Sequence, residues 1–334
     1  MENPTYTYKD MASDQEVRWC PGCDDYVILR SVQKALPQMG IPKEKFAFIS
    51  GIGCSSRFPY YMNTYGIHSI HGRAPAFATG VKLANPELSV WVITGDGDSM
   101  AIGGNHFIHL IRRNIDLNLI LFNNEIYGLT KGQFSPTTKV GLRTKSSPYG
   151  NTQKPFHPGT LALGANARFF ARVPGNLPKH LTNIFVEAEK FHGTSIIEVL
   201  QNCPIFNDAV FDNIVHKDVR DDQQLWLEHG KPMIFGKEGN KGIVLNGLKL
   251  ETVTIGENGV SEADLLVHDA EEEDLTLHLM LARMQSPSAM GIIRAVKDAT
   301  LGDSLRAQMD DVKANSKFKS VDDLFVSGDT WIVD

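Results

Sequence analysis

The apolar positions of this chain fall into short continuous runs separated by amphipathic stretches. Leu88 to Thr94 is a β-rich run of a length that suits a buried parallel strand. Gly95-Asp96-Gly97-Asp98 breaks it with two glycines and two carboxylates. A helical pattern follows from about Ser99 to Asn114, carrying apolar Met100, Ile102, Phe107, Ile108, Leu110 and Ile111. A second buried run, Leu117 to Phe122, ends at Asn123-Asn124. Leu88 to Gln133 therefore reads as a β-α-β unit with polar oxygens at the C-terminal ends of both strands, the edge at which open α/β sheets bind ligands.

The same alternation extends in both directions. Asp24 to Leu36 is a helix pattern stopped by Pro37, and Phe46 to Ser50 a short strand that delivers Gly51-Ile52-Gly53-Cys54. Ala74 to Ala84 is a helix of small residues suited to close packing. Phe134 to Pro158 is rich in Pro, Gly, Ser and Thr, and a loop of that length is usually functional or mobile. A helix over Pro178 to Phe191 and a strand over Thr194 to Leu200 follow, ending near Cys203. Strands alternating with helices predict an α/β fold with a doubly wound, mostly parallel sheet. Beyond Asp208 the pattern weakens: Gly230 to Asp269 is β-rich with Gly and Asn turns, and Leu275 to Asp334 is polar and partly helical. The expected organisation is an N-terminal arm (1–18), a cofactor-binding α/β domain (19–207) and a C-terminal extension (208–334) that caps the domain or contacts a partner.

Composition narrows the class. The 334 residues are 42% hydrophobic and 22% charged, ordinary for a soluble globular protein, with a formal charge of −6 that argues against general nucleic-acid binding. No apolar run reaches the roughly 18 residues of a membrane span. The polar N-terminus lacks an apolar signal core, so a cytoplasmic protein without membrane contact is expected. Charge is unevenly spread. Ile126 to Val186 contains no acidic residue and eight basic ones, whereas Glu257 to Asp274 contains eight acidic residues. The acidic run reads as a solvated surface. The basic run directly follows the G-D-G…N-N unit, where a positive field would gather anionic substrates or an acidic electron carrier.

Chemistry concentrates at two places. Taken singly, G-D-G is a tight turn and N-N a strand-end cap. On matching strand ends they suit a magnesium-diphosphate site: glycine lets backbone approach phosphate, and Mg²⁺ takes one or two protein oxygens together with phosphate oxygens. Asp96, Asn124 and a backbone carbonyl such as that of Ile126 supply such oxygens. The spacing resembles the thiamine-diphosphate (TPP) motif. The second place is the cysteines, of which there are four: Cys20 and Cys23 in W-C-P-G-C, Cys54 in G-I-G-C-S-S, and Cys203 in N-C-P. A thioredoxin-like pair should follow a strand, but Asp14 to Trp19 is polar. Four thiolates suit structural zinc or an iron–sulfur cluster, and spacing alone does not separate these two from unligated thiols. Thiamine chemistry generates an electron-rich carbon that a nearby one-electron acceptor can oxidise, so co-occurrence favours the cluster.

At W-C-P-G-C, G-I-G-C-S-S, H-G-R-A, G-D-G-D and N-N-E-I-Y-G-L-T-K-G-Q-x-S-P-T, over roughly residues 18 to 207, the sequence resembles the β subunits of 2-oxoacid:ferredoxin oxidoreductases, most of all the 2-oxoglutarate type. The resemblance implies one [4Fe–4S] cluster on Cys20, Cys23, Cys54 and Cys203, and Mg²⁺ on Asp96, Asn124 and the Ile126 carbonyl. It implies TPP contacts at Ile52, Gly53, Cys54, Ser55, His71, Gly97, Asp98, Gly128 and Leu129; His71 read by itself is a satisfied core or surface histidine. Asp24 stands where the family commonly has glycine. Lys131 stands in T-K-G-Q where pyruvate-type relatives resemble T-G-G-Q, which suits pairing with the distal carboxylate of 2-oxoglutarate rather than a plain surface lysine. The implied reaction is reversible oxidative decarboxylation of 2-oxoglutarate to succinyl-CoA and CO₂, with CoA as co-substrate and ferredoxin as electron partner. An α subunit, in an αβ or (αβ)₂ assembly, would supply the carboxylate facing the thiamine aminopyrimidine and most of the CoA site. The alternatives are another 2-oxoacid such as pyruvate, a non-redox TPP decarboxylase or carboligase with structural zinc, or a non-catalytic electron-transfer subunit.

Overall fold

The computed structural model describes residues 6–333. Eleven strands occur among them: β1 (Phe46–Ser50), β2 (Tyr65–His68), β3 (Ser89–Gly95), β4 (Leu117–Asn123), β5 (Phe169–Pro174), β6 (Thr194–Leu200), β7 (Gln224–Leu227), β8 (Ile234–Phe235), β9 (Lys241–Asn246), β10 (Lys249–Thr254) and β11 (Ser288–Ala295). Eight form one sheet in the order β2-β1-β3-β4-β6-β5-β11-β7. The first six run parallel, while β11 pairs antiparallel with β5 and parallel with β7. Strands β8, β9 and β10 make a separate antiparallel sheet, the β-rich region expected over Gly230 to Asp269.

Both faces of the large sheet are covered, which is why its central strands read as unbroken apolar runs. Successive side chains point to opposite faces. In β3, Trp91 and Ile93 pack with helices α1 (Asp25–Ala35) and α6 (Pro178–Lys190) through Ile28, Val32, Leu181 and Phe185. Val90 and Val92 turn the other way, toward α2 (Ala74–Ala84), α4 (Gly104–Arg112) and α5 (Pro158–Gly164), through Ala78, Phe107, Leu110 and Leu163. The doubly wound, mostly parallel α/β sheet expected from the pattern is the fold observed.

Two local expectations are corrected. The helix read over Ser99 to Asn114 is two helices, α3 (Asp96–Met100) and α4, broken at Gly103. A Cβ at Gly103 would stand 2.4 Å from the Asp98 carbonyl oxygen and 3.0 Å from the Cα of Gly72, so the chain bends where two backbones touch. The helix also starts three residues earlier than expected, which places Asp96 and Asp98 in its first turn. The second correction concerns the C-terminal third. Its β7 and β11 belong to the large sheet, so residues 208–334 extend that sheet as well as forming the small one. From Leu301 onward the helices Leu301–Asn315 and Val321–Phe325 bury no residue. Among the described residues no helix is long and apolar enough to cross a membrane.

One buried ion pair ties the parallel part to this extension. Arg172 of β5 donates from Nε to Glu198 Oε2 of β6 at 2.8 Å and from Nη2 to the Ala282 carbonyl at 3.0 Å, while Asn123 Nδ2 donates to Glu198 Oε1 at 2.9 Å. The two side chains are 7% and 2% exposed. Removing one partner strands a buried charge, at a cost of about 3–5 kcal/mol, whereas replacing both with apolar residues costs little. Arg172→Met should therefore destabilise the chain by about that amount and Arg172→Met/Glu198→Leu by much less, measured as denaturation midpoints side by side.

Candidate cofactor edge

Strands β1, β3, β4 and β6 lie side by side, so the loops at their C-terminal ends meet. The segments that leave them begin at Gly51, Asp96, Asn124 and Gln201, and they carry most of the residues singled out from the sequence. Their meeting is organised by Asp98. Its buried carboxylate accepts at Oδ1 from the Ile52 amide (3.0 Å), His71 Nδ1 (2.6 Å) and the Gly72 amide (2.7 Å), and at Oδ2 from the Thr94 hydroxyl (2.7 Å). A carboxylate so engaged works inside the protein: it sets the ring of His71 and the backbone of Ile52. Gly51 makes room for it, since a Cβ there would stand 2.0 Å from Asp98 Oδ2.

Asp96 is buried two residues earlier. Its Oδ2 accepts from Ser135 Oγ and Thr137 Oγ1, each at 2.5 Å. Burial pushes the Asp96 carboxyl up to about 6 against those two hydroxyls. Thr138 Oγ1 donates to the Glu125 carbonyl at 2.6 Å, so the long loop after Gln133 closes over both the Asp96 and the Asn124 turns. The Tyr127 hydroxyl donates to the Gly97 carbonyl at 3.0 Å and draws those two turns together. Asn124 Oδ1 accepts from the Ile126 amide at 3.2 Å, and its Nδ2 donates to Gln201 Oε1 at 2.7 Å. Asp96, Asn124 and Ile126 thus stand on adjoining turns as hard oxygen donors suited to Mg²⁺.

The four cysteines, all free, gather at one end of this edge. Gly128 marks the place: a Cβ built on it would lie 3.5 Å from the sulfurs of both Cys54 and Cys203. Cys23 accepts from Gln201 Nε2 at 3.2 Å. Cys54 is held through its carbonyl, which accepts from the Trp19 indole at 2.7 Å. Burial, then the Asp25 carboxylate and the neighbouring Cys203 and Cys20, push the Cys54 thiol up to about 12. Cys23 is raised further, by burial first and Asp25 second, and Cys203 is raised by burial against the backbone amides of Ile205, Phe206 and Asn207. Four neighbouring sulfurs in a desolvated, acid-flanked site ionise only where positive charge stands close by. Among the described residues no three His, Cys, Asp or Glu side chains close on a single ion-sized point.

The remaining candidates are less enclosed. Ser55 is buried, Ile52 and Gly53 are half-buried, and Leu129 is exposed. Lys131 is exposed on a turn with its backbone in the left-handed region, at φ +77°. Sequence reading assigned no role to Ser135, Thr137, Gln201 or Asp25. The hydroxyls were visible in S-P-T, and Gln201 directly follows a strand, but neither position announces its partner.

The pattern described as "Thiamine pyrophosphate enzyme, C-terminal TPP binding domain" matches residues 51–199. The chain is 47% identical over 332 residues to the 2-oxoglutarate oxidoreductase subunit KorB of Mycobacterium tuberculosis, covering 98% of this chain and 88% of that one. It is 48% identical over 186 residues to the 2-oxoglutarate synthase subunit KorB of Archaeoglobus fulgidus, covering 56% and 69%. Among solved structures it is similar to 2-oxoglutarate:ferredoxin oxidoreductase from Magnetococcus marinus with 2-oxoglutarate, coenzyme A and succinyl-CoA bound. That similarity has a TM-score of 0.78 at 30% identity and covers 97% of both chains.

The Gly51–Asp98 contact makes a direct test. Gly51→Ala overpacks a carboxylate that four hydrogen bonds hold in place and should cost about 1–3 kcal/mol. The double variant Gly51→Ala/Asp98→Ala should be no less stable than Asp98→Ala alone, because the clash has gone. A thermal denaturation cycle over the four proteins reads the coupling.

Proposed function

The chain belongs to the 2-oxoglutarate oxidoreductase β subunits of the 2-oxoacid:ferredoxin oxidoreductase family, and on that footing we propose how its residues divide the work. It acts with an α subunit in the CoA-dependent oxidative decarboxylation of 2-oxoglutarate to succinyl-CoA and CO₂, with ferredoxin as the acceptor. Bound thiamine diphosphate supplies the carbon nucleophile and electron sink for loss of CO₂, and a [4Fe–4S] cluster supplies the one-electron path out.

The chain's own residues bind and orient. Asp96, the Asn124 side chain and the Ile126 carbonyl offer Mg²⁺ its protein oxygens, and Ser135 and Thr137 fix the Asp96 rotamer through hydroxyl donors. Ile52, Gly53, Ser55, Gly97 and Gly128 present backbone close to the cofactor, and Asp98 holds His71 for a hydrogen bond to diphosphate. Cys20, Cys23, Cys54 and Cys203 take the cluster. The observation that carries this reading is Gly128, beside the sulfurs of Cys54 and Cys203 on the turn that follows Asn124: it brings thiols and diphosphate site within one loop of each other. No group in this chain need act as acid or base. The carboxylate that activates the cofactor ring and most of the CoA site come from the α subunit, in an αβ or (αβ)₂ assembly in the cytoplasm. Residues 208–334, beyond the two strands they add to the large sheet, cap the domain or contact the partner.

Lys131 selects the substrate. A non-glycine residue in the left-handed region carries a penalty of about 1–2 kcal/mol, and pyruvate-type relatives resemble this stretch with glycine at that position. A lysine kept there despite the cost pairs with the distal carboxylate that pyruvate lacks.

Anaerobic purification with the α partner should give four iron and four sulfide per β chain, and viologen reduction should be fastest with 2-oxoglutarate among a panel of 2-oxoacids. Lys131→Gly should lower kcat/KM for 2-oxoglutarate by about 10–100-fold and change it far less for pyruvate. One zinc per chain without viologen reduction would sink the assignment.

A further inference from the structure

Cluster ligands and magnesium ligands meet through a single side chain. Asn123 pairs with Leu200 across β4 and β6, so Asn124 and Gln201 leave adjacent strands together. Gln201 is 1% exposed. Its Oε1 accepts from Asn124 Nδ2 at 2.7 Å, and its Nε2 donates to Cys23 Sγ at 3.2 Å and to the Asn202 carbonyl at 2.5 Å. Both amide orientations follow from their partners. Turning Gln201 over would set its oxygen against a sulfur and a carbonyl, and turning Asn124 over would set its amide nitrogen against the Ile126 N–H that now donates to Asn124 Oδ1. Asn207 adds a backbone tie from the same loop: its Nδ2 donates to the Asn124 carbonyl at 2.9 Å and its amide to the Cys203 carbonyl at 3.0 Å.

We propose that Gln201 is a positioning residue that couples the charge on the Mg²⁺–diphosphate site to the reduction potential of the cluster. The inference rests on the proposed function and deepens it. The direction follows from hydrogen-bond polarisation along the chain Asn124–Gln201–Cys23. A cation at Asn124 Oδ1 draws electrons from that amide and makes its Nδ2–H a stronger donor to Gln201. The Gln201 amide is polarised in turn, and its Nε2–H becomes a stronger donor to the Cys23 sulfur. An N–H donated to a cluster sulfur stabilises the reduced, more negative state and raises the potential. Loading the chain with cofactor therefore makes its cluster a better electron acceptor, so electrons are drawn only when there is a cofactor to give them. By reciprocity the reduced cluster tightens Mg²⁺ binding by the same factor.

The test is an EPR-monitored redox titration of the αβ assembly with and without Mg²⁺ and thiamine diphosphate, beside a Mg²⁺ titration in the presence of thiamine diphosphate. The wild-type potential should rise on loading. Gln201→Leu removes both arms: the potential should fall, stop responding to loading, and Mg²⁺ affinity should drop by about 10–100-fold. Gln201→Glu can still accept from Asn124 but cannot donate to the sulfur: its potential should fall and lose its response, with Mg²⁺ affinity above that of the leucine variant. A leucine variant with full iron content and the wild-type potential and response overturns the proposal. So does loss of iron from both variants, which would make Gln201 structural. Wild-type protein without iron and sulfide overturns instead the functional reading beneath it.

Discussion

The carboxylate of Asp98 is the constraint on which the cofactor edge depends. Four donors from three sequence-distant segments converge on it: Thr94 at the end of β3, Ile52 after β1, and His71 with Gly72 before α2. A hydrogen bond to a charged group contributes about 1.5–3 kcal/mol, so four of them on one carboxylate hold these segments together firmly. The neighbouring glycines are shaped around it. Gly51 leaves space for the carboxylate, and Gly103 breaks the following helix where its backbone meets Gly72. Through this one group, the loops that carry Cys54, His71 and Asp96 acquire a common reference point.

Electrostatics then explains why such an edge suits cations. Burial pushes up the carboxyls of Asp25, to about 7, Asp96, to about 6, and Glu125, to about 7, and it raises the thiols of Cys23, Cys54 and Cys203 as well. Desolvation is the chief cause of the rise in all six, and the charge of Asp25 adds to it at the Cys23 and Cys54 thiols. Opposite charge close by reverses that penalty. Lys139, 3.6 Å from Glu125, provides some of it. Magnesium and iron at the donor sets proposed above would provide the rest, so metal loading and the ionisation of this edge are linked.

The sheet divides its labour by direction. The six parallel strands aim their C-terminal ends at the cofactor edge, whereas β11 returns antiparallel and contributes to support rather than chemistry. Its junction with the parallel part is where the Arg172 guanidinium is buried, held by Glu198 and the Ala282 carbonyl. Those residues line a cavity of about 290 Å³ together with Glu125, Thr137 and Lys139. The C-terminal third is thereby keyed into the main domain through a polar contact that lies close to the Asn123–Glu125 turn.

What was legible in the sequence follows from the range over which each signal acts. Strand β1 matches its expected limits and the β3 and β4 limits shift by about a residue, because a strand covered on both faces must be apolar throughout. The G-D-G and N-N turns were legible because backbone geometry at a strand end is set by adjacent residues. Strand β5 escaped notice because Arg172 reads as surface until its partner, 26 residues on, is known, and β7 and β11 because their sheet neighbours are not sequential. The site's working contacts lie further out: Thr137 is 41 residues from Asp96, and Gln201 is 178 from Cys23. Periodicity assigns a side chain to a face but not to a partner, so the chain suggests candidate donors while the hydrogen bonds that hold them are invisible in it.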